Sequence, residues 1–212
     1  PDEYAPVLDT ILPEWFNAPV ATPTRPTAPL APSGLGGAHI VPGAEGQESE
    51  AALAYGSSVH NLLESLILES EPHRQITLAA LDPALPEQAE VLALMNAPAM
   101  QSILSASPMA EVGFAANIAG LGPLAGRIDL LQIAPDHVTV YDFKTNRIVP
   151  PSPAETPEAL LRQMGAYRAA LAQIYPKHRI ETALIWTRTA LIMPLDENLT
   201  EAALARLRVA LD

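Results

Sequence analysis

Apolar positions in the first half of the chain recur at intervals of three and four. In YGSSVHNLLESLILES, Val59, Leu62, Leu63, Leu66 and Ile67 fall on one stripe of a helix. Helical patterning begins at about residue 48, and Ser57 or Ser58 is a candidate N-cap. Residues 86–105 predict one or two further helices, broken at Pro98. The period then shortens to two. EVGFAANIAG, LAGRIDLLQI and HVTVYDFKT read as three strands joined by Gly/Pro turns. Thr156-Pro157-Glu158 predicts a helix start with Thr156 as N-cap, and the helix runs to about Tyr175, ahead of Pro176. IETALIWTRT and ALIMPL read as strands, and TEAALARLRVAL as a closing helix. Helices, three strands, helix, two strands, helix: this order predicts an α/β domain with a mixed sheet flanked by helices over residues 48–212.

Residues 1–47 have a different composition. Nine of the chain's 22 prolines lie in the first 50 residues, and ATPTRPTAPLAPSGLGG cannot hold a helix or a central strand. The segment reads as an extended, Pro-rich linker or a strap on another surface, with Trp15 and Phe16 as candidate anchors. The chain has no cysteine, which excludes disulfides, zinc–thiolate sites and cysteine-held iron–sulfur clusters. No apolar run approaches the ~20 residues that span a bilayer, and the front lacks the layout of a secretory signal. These features predict a soluble, intracellular protein with no membrane partner.

The net charge is −12, which argues against broad nucleic-acid binding. The charge is uneven, however. From Lys144 to Arg188 there are seven basic residues (Lys144, Arg147, Arg162, Arg168, Lys177, Arg179, Arg188) and three acidic ones. A local cationic surface is therefore compatible with an acidic chain, although a solvated helix face gives the same pattern.

Asp129, Asp142 and Lys144 stand inside apolar, strand-like runs, where charges are costly unless something compensates them. Alternation puts Val138, Val140, Asp142 and Lys144 on one strand face, and Arg127, Asp129 and Leu131 on one face of the strand before it. Pro135 and Asp136 are natural central turn residues, and a hairpin closed symmetrically about them sets Asp129 opposite Asp142. Facing side chains have Cβ atoms ~4.5–5.5 Å apart, so the two carboxylates repel. Lys144 offsets one charge, and a divalent cation offsets the rest; oxygen ligands favour Mg²⁺ or Mn²⁺. The same residues also allow a simpler reading, in which Asp142 and Lys144 are a surface ion pair and Asp129 caps a turn.

GRIDLL followed by VYDFKT, with GSSVH upstream and RQMGAY downstream, resembles the RecB-like branch of the PD-(D/E)XK nuclease superfamily. The likeness is greatest to the C-terminal nuclease domain of bacterial AddA-type helicase–nuclease subunits, and it runs from about Pro29 to near Asp196. The resemblance implies a restriction-endonuclease-like core and metal-dependent cleavage of DNA. It casts Asp129 as the first metal-binding acid, Asp142 as the second, Lys144 as the catalytic lysine and His60 as a helix-borne extra ligand. Gln163 and Tyr167 match the branch's glutamine–tyrosine motif beside the active site. Glu111 matches the acid of a Glu-x-Pro-Phe strand, although Gly113 stands here where the proline is usual.

Read without the resemblance, His60 sits at the edge of an apolar helix face beside Leu63 and Ile67. Gln163 and Tyr167 share a helix face because they are four apart. Arg147, Arg162 and Arg168 suit phosphates but are also ordinary surface residues. The resemblance further implies a Mg²⁺-dependent exonuclease of double-strand break repair. In that setting single-stranded DNA is fed by helicase domains on a longer polypeptide, with an AddB-type second subunit, in the bacterial cytoplasm. The rival expectation is a non-catalytic DNA-binding or scaffolding module that keeps the nuclease fold.

Overall fold

The computed structural model describes residues 28–35 and 46–211. Trp15 and Phe16, the candidate anchors, lie outside the described residues, as does most of the proline-rich front. Four helices come first: α1 (Gly46–Leu68), α2 (Glu71–Ala80), α3 (Pro86–Met95) and α4 (Pro98–Ser105). Three strands follow, β1 (Met109–Ile118), β2 (Gly122–Ile133) and β3 (His137–Lys144). The chain then runs through α5 (Glu158–Ile174), β4 (Arg179–Trp186), β5 (Leu191–Leu195) and α6 (Glu197–Leu211). The expected mixed sheet forms, in the order β1-β2-β3-β4-β5, with only β3 and β4 parallel. Helix α5 makes the crossover that a parallel pair requires.

Each face of the sheet is covered. Val59, Leu63 and Leu66 of α1 pack with Val91, Leu94 and Met95 of α3 against Leu130, Phe143 and Ile185. On the other face, Leu161, Met164, Tyr167 and Leu171 of α5 pack against Val138, Val140, Leu184 and Trp186. This explains why β4 reads as a nearly continuous apolar run rather than an alternating one.

Three local expectations are corrected. Helix α1 starts well before Ser57 and Ser58, which lie exposed inside it, because the alanine-rich stretch ahead of them is itself a good helix former. Helix α2 was not anticipated; its stripe is short, with Leu78 its single buried residue. Thr156 does not cap α5: Pro157 holds that position with no side-chain cap, and the Thr156 hydroxyl points to Met193 Sδ at 3.8 Å. Pro98, by contrast, opens α4 as anticipated, at a position where its missing N–H costs nothing.

Helices α5 and α6 approach closely at Gly165. A Cβ there would lie 2.5 Å from the Thr200 carbonyl oxygen and 3.2 Å from Leu204 Cβ. Gly165→Ala is therefore expected to destabilise the fold by about 1–3 kcal/mol through overpacking, read as a lower midpoint of thermal denaturation.

Candidate active site

The β2–β3 hairpin has the register that its turn implies. Leu130 pairs with Tyr141, Leu131 with Val140, Gln132 with Thr139 and Ile133 with Val138. Ala134 N–H donates to the His137 carbonyl across the Pro135-Asp136 turn. Pairing stops after Leu130 and Tyr141, so the next position on each strand is Asp129 and Asp142. Beyond that point β3 continues along β4 as far as the Lys144–Trp186 pair, while β2 continues along β1. The sheet thus forks at the two aspartates.

Several groups fill the fork. Leu30 bridges β2 at Leu124 on the edge that β3 has left: its N–H donates to the Pro123 carbonyl, and its carbonyl accepts from Ala125 N–H. The Arg127 carbonyl lies on that same edge, by the alternation of backbone groups along a strand. The Tyr167 hydroxyl donates to it at 3.0 Å. An acceptor that the ladder would have satisfied is satisfied by a side chain instead. Across the fork, Asp129 Oδ2 accepts from Phe143 N–H at 2.8 Å. The β1–β2 ladder also skips Glu111 and Asp129, because Glu111 takes a left-handed backbone (φ 51°). Asp129 is therefore unpaired on both sides of its strand.

Asp142 is only 2% exposed. Its Oδ1 accepts from Gln163 Nε2 at 2.8 Å, and its Oδ2 lies 2.5 Å from Lys144 Nζ in an ion pair. Lys144 Nζ also donates to Gln163 Oε1 at 3.1 Å. Gln163 therefore uses both ends of its amide to hold the acid and the lysine in one arrangement. Its Nε2 is also 3.2 Å from the Tyr167 hydroxyl, one helical turn along α5. Phe114 stacks edge-on against Tyr167 at 5.7 Å, so the aromatic of the Glu111–Phe114 strand supports the motif although its proline is absent. Burial first, and then the Asp142 charge, push the Tyr167 hydroxyl well above its ordinary pKa, which keeps it a donor.

His60 reaches the fork from α1, with Nδ1 3.8 Å from Asp129 Oδ2 and its ring edge-on to Phe143 at 5.9 Å. Burial of Asp129 and repulsion from Asp142 push the Asp129 carboxyl up to about 8. The imidazole of His60 is driven the other way, chiefly by burial and further by the Lys144 charge, with Asp142 opposing. Neutral imidazole is the form that ligates metals.

Asp129, Asp142, Lys144, Gln163, Tyr167, His60 and Glu111 are thus brought to one place. Glu111 pairs with Arg127 at 3.5 Å. The three candidate DNA-binding arginines separate. Arg147 is exposed just past β3. Arg162 sits 3.4 Å from Glu158 on its own helix. Arg168 is not brought to the fork: it faces α6 and pairs with Glu197 and, at 2.8 Å, with Glu201. Docking of α6 on α5 decides that, and no local pattern around Arg168 signals it. The sequence does not single out Glu90, and it offers Arg127 only as a strand-face residue and Arg188 only as one of seven basic residues, because their placement depends on which strands diverge and which helices meet.

Two aspartates and an imidazole are a fitting donor set for Mg²⁺ or Mn²⁺. Asp142 Oδ2 is buried and accepts no hydrogen bond, so its charge is compensated by Lys144 alone. Among the described residues, no three His, Asp or Glu side chains converge as a ready-made cage. In this state the acids are held by Lys144, Gln163 and Phe143 N–H, and any ion would take over part of those contacts.

A family model described as the PD-(D/E)XK nuclease superfamily matches residues 35–206. No curated protein matches the chain. Among the described residues, no helix is long and apolar enough to cross a membrane.

Proposed function

The chain belongs to the PD-(D/E)XK nuclease superfamily, and we propose that its fork hydrolyses DNA phosphodiesters with Mg²⁺ or Mn²⁺, as an exonuclease of the RecB-like, AddA-type branch. One observation carries this reading. The strands part where two carboxylates face each other, and a lysine and a glutamine are locked onto one of them. A structural ion pair does not require a second acid held at a raised pKa across a broken ladder.

Asp129 and Asp142 would hold the ion, with His60 completing the set. When bound, the ion supplies Lewis-acid polarisation of the phosphoryl group and activation of the attacking water. The remaining work falls to the chain's own groups. Lys144 Nζ supplies a fixed positive charge where negative charge develops on the phosphoryl oxygens. Gln163 sets the position of Nζ, so that the charge is preorganised. Tyr167 keeps β2 and β3 apart by satisfying the Arg127 carbonyl, which preserves the opening that substrate must enter. Arg147, Arg162 and Arg127 supply cationic groups near the opening for the strand backbone.

The net charge of −12 favours a site to which single strands are delivered over one that captures DNA unaided. We therefore place it downstream of a helicase motor on the same longer polypeptide, with an AddB-type partner, in double-strand break repair in the bacterial cytoplasm. Tethering raises the effective concentration of strand at the fork.

A second reading is kept alive by one contact. Lys144 lies against Asp142 in a closed arrangement, as it would in a module that binds DNA without cutting it. Linear and circular single-stranded DNA of the same sequence, incubated with Mg²⁺ and with a chelator, separate the possibilities. Degradation of the linear strand alone, with Mg²⁺ only, is expected. Cutting of the circle would overturn the exonuclease reading, and binding without any cleavage would favour the scaffolding module.

A further inference from the structure

We infer that Arg188 is a second phosphate-binding group of the site, gripping the backbone of the strand at the mouth of the fork; this rests on the nuclease reading and extends it to how the strand is held. Arg188 follows β4, beside the end of β3. Its Nε donates to the Thr145 carbonyl at 3.0 Å, one residue past Lys144. Its guanidinium lies 4.7 Å from the centre of the Tyr55 ring. Beneath it is Glu90, whose Oε2 is 3.9 Å from Arg188 Nε.

Glu90 is an 8%-exposed carboxylate on the otherwise apolar inner face of α3. It accepts from the Tyr55 hydroxyl and from Thr187 Oγ1, each at 2.5 Å, and Thr187 Oγ1 also sits 3.0 Å from the Lys144 carbonyl. A buried acid with so many partners fixes three things together: the middle of α3, the turn after β4 and the end of β3 that carries Lys144. Fully satisfied networks of this kind hold geometry.

The arrangement leaves the reactive part of the guanidinium free. Nε is used, the ring covers one face, and Nη1 and Nη2 have no hydrogen bond or ion pair among the described residues. The side chain remains 34% exposed. An arginine fixed at Nε with both Nη groups open is preorganised for a phosphate fork, because little freedom is left to lose on binding. Its place is also right. On α1, Gly56 and His60 share a face, four residues apart. His60 reaches Asp129, and Gly56 is packed on Thr145 closely enough that a Cβ would meet Oγ1 at 3.0 Å. Thr145, to which Arg188 is tied, is therefore about one helical turn, ~5.4 Å, along α1 from the level of the acids. Arg168 and Arg206, by contrast, have Nη groups held by glutamates, whereas Glu90 approaches Arg188 at Nε.

The test uses this chain and a short fluorescent single strand, with a chelator present so that nothing is cut. Affinity is measured by anisotropy from 50 to 200 mM salt for the parent, Arg188→Gln, Arg188→Lys and the exposed control Lys177→Gln. Arg188→Gln is expected to weaken binding roughly ten- to hundredfold. It should also flatten the slope of log K against log salt by about 0.7, the loss of one phosphate contact on a single strand. Arg188→Lys should keep the slope, because the charge remains, but bind more weakly than the parent. Lys177→Gln should match the parent. An unchanged slope in Arg188→Gln, with parent-like cleavage in Mg²⁺, would overturn the role of Arg188 and leave the nuclease reading standing. A parent that neither binds nor cuts DNA would remove both. Thermal unfolding of each variant separates lost contact from lost structure: a slope change in a variant that melts with the parent supports binding, and one that appears only alongside early melting refutes it.

Discussion

Asp142→Asn should lower Mg²⁺-dependent cleavage of linear DNA by roughly a thousandfold or more while the fold persists, and Lys144→Ala should lower cleavage as far but also destabilise the fold, because it leaves the buried Asp142 without its counter-charge. The size of the effect follows from what is removed. Asp142→Asn takes away the charge of the buried acid that would hold the ion, and so the Lewis-acid contribution with it. Lys144→Ala takes away the one side-chain cation placed on that acid, a preorganised charge of the kind whose loss commonly costs two to three orders of magnitude. Survival of the fold follows from the second acid. In Asp142→Asn burial still favours the protonated form of Asp129, but the added repulsion from Asp142 is gone, so Asp129 ionises more easily and can give Lys144 a counter-charge nearby. The amide retains a carbonyl oxygen in place of Oδ1, so Gln163 keeps its bond. Cleavage rates with saturating Mg²⁺, beside circular dichroism, check both halves. Parent-like activity in either variant would end the assignment of these residues, whatever the fold.

The part of this site that could be read in advance is the part set by local rules. A Pro-Asp turn and strict alternation determine the hairpin register, and the register alone sets Asp129 across from Asp142. The mixed sheet and crossover helix were equally legible, since their signal is a change of hydrophobic period. The fork was not legible. It depends on Glu111 adopting a left-handed backbone and on Leu30 taking the edge of β2 that β3 leaves, which are tertiary outcomes. The motif residues on α5 illustrate the boundary. Spacing shows that Gln163 and Tyr167 share a face, but their tasks of clamping Asp142 to Lys144 and capping the Arg127 carbonyl exist only once the strands have parted. Glu90 is the extreme case. It looks like a surface acid in PEQAEVLALM, and only the docking of α1 and β4 makes it a buried anchor.

Asp129→Asn should stabilise the metal-free protein in mild alkali and abolish much of its pH dependence. In the folded chain the carboxyl of Asp129 holds its proton up to about 8, because it is buried beside Asp142, whereas in the unfolded chain it ionises near its ordinary value of 3.8. Between those values the folded state binds more protons than the unfolded one, so stability is full below about pH 4 and falls as pH rises through 8. An asparagine resembles the protonated acid and can still accept from Phe143 N–H. The variant should therefore match the parent near pH 4–5 and exceed it at pH 8–9 by roughly 2–4 kcal/mol once partial solvent access is allowed for. For a domain of this size that is a rise in Tm of roughly 5–10 °C. Mg²⁺ should reverse the ranking: an ion must displace the proton to bind, so its stabilisation of the parent grows from pH 6 to 8 and is largely absent in the variant. Melting curves across pH, with chelator and with Mg²⁺, decide it. Parallel profiles for parent and variant would mean that Asp129 carries no burial cost, and that the fork is not poised for a cation.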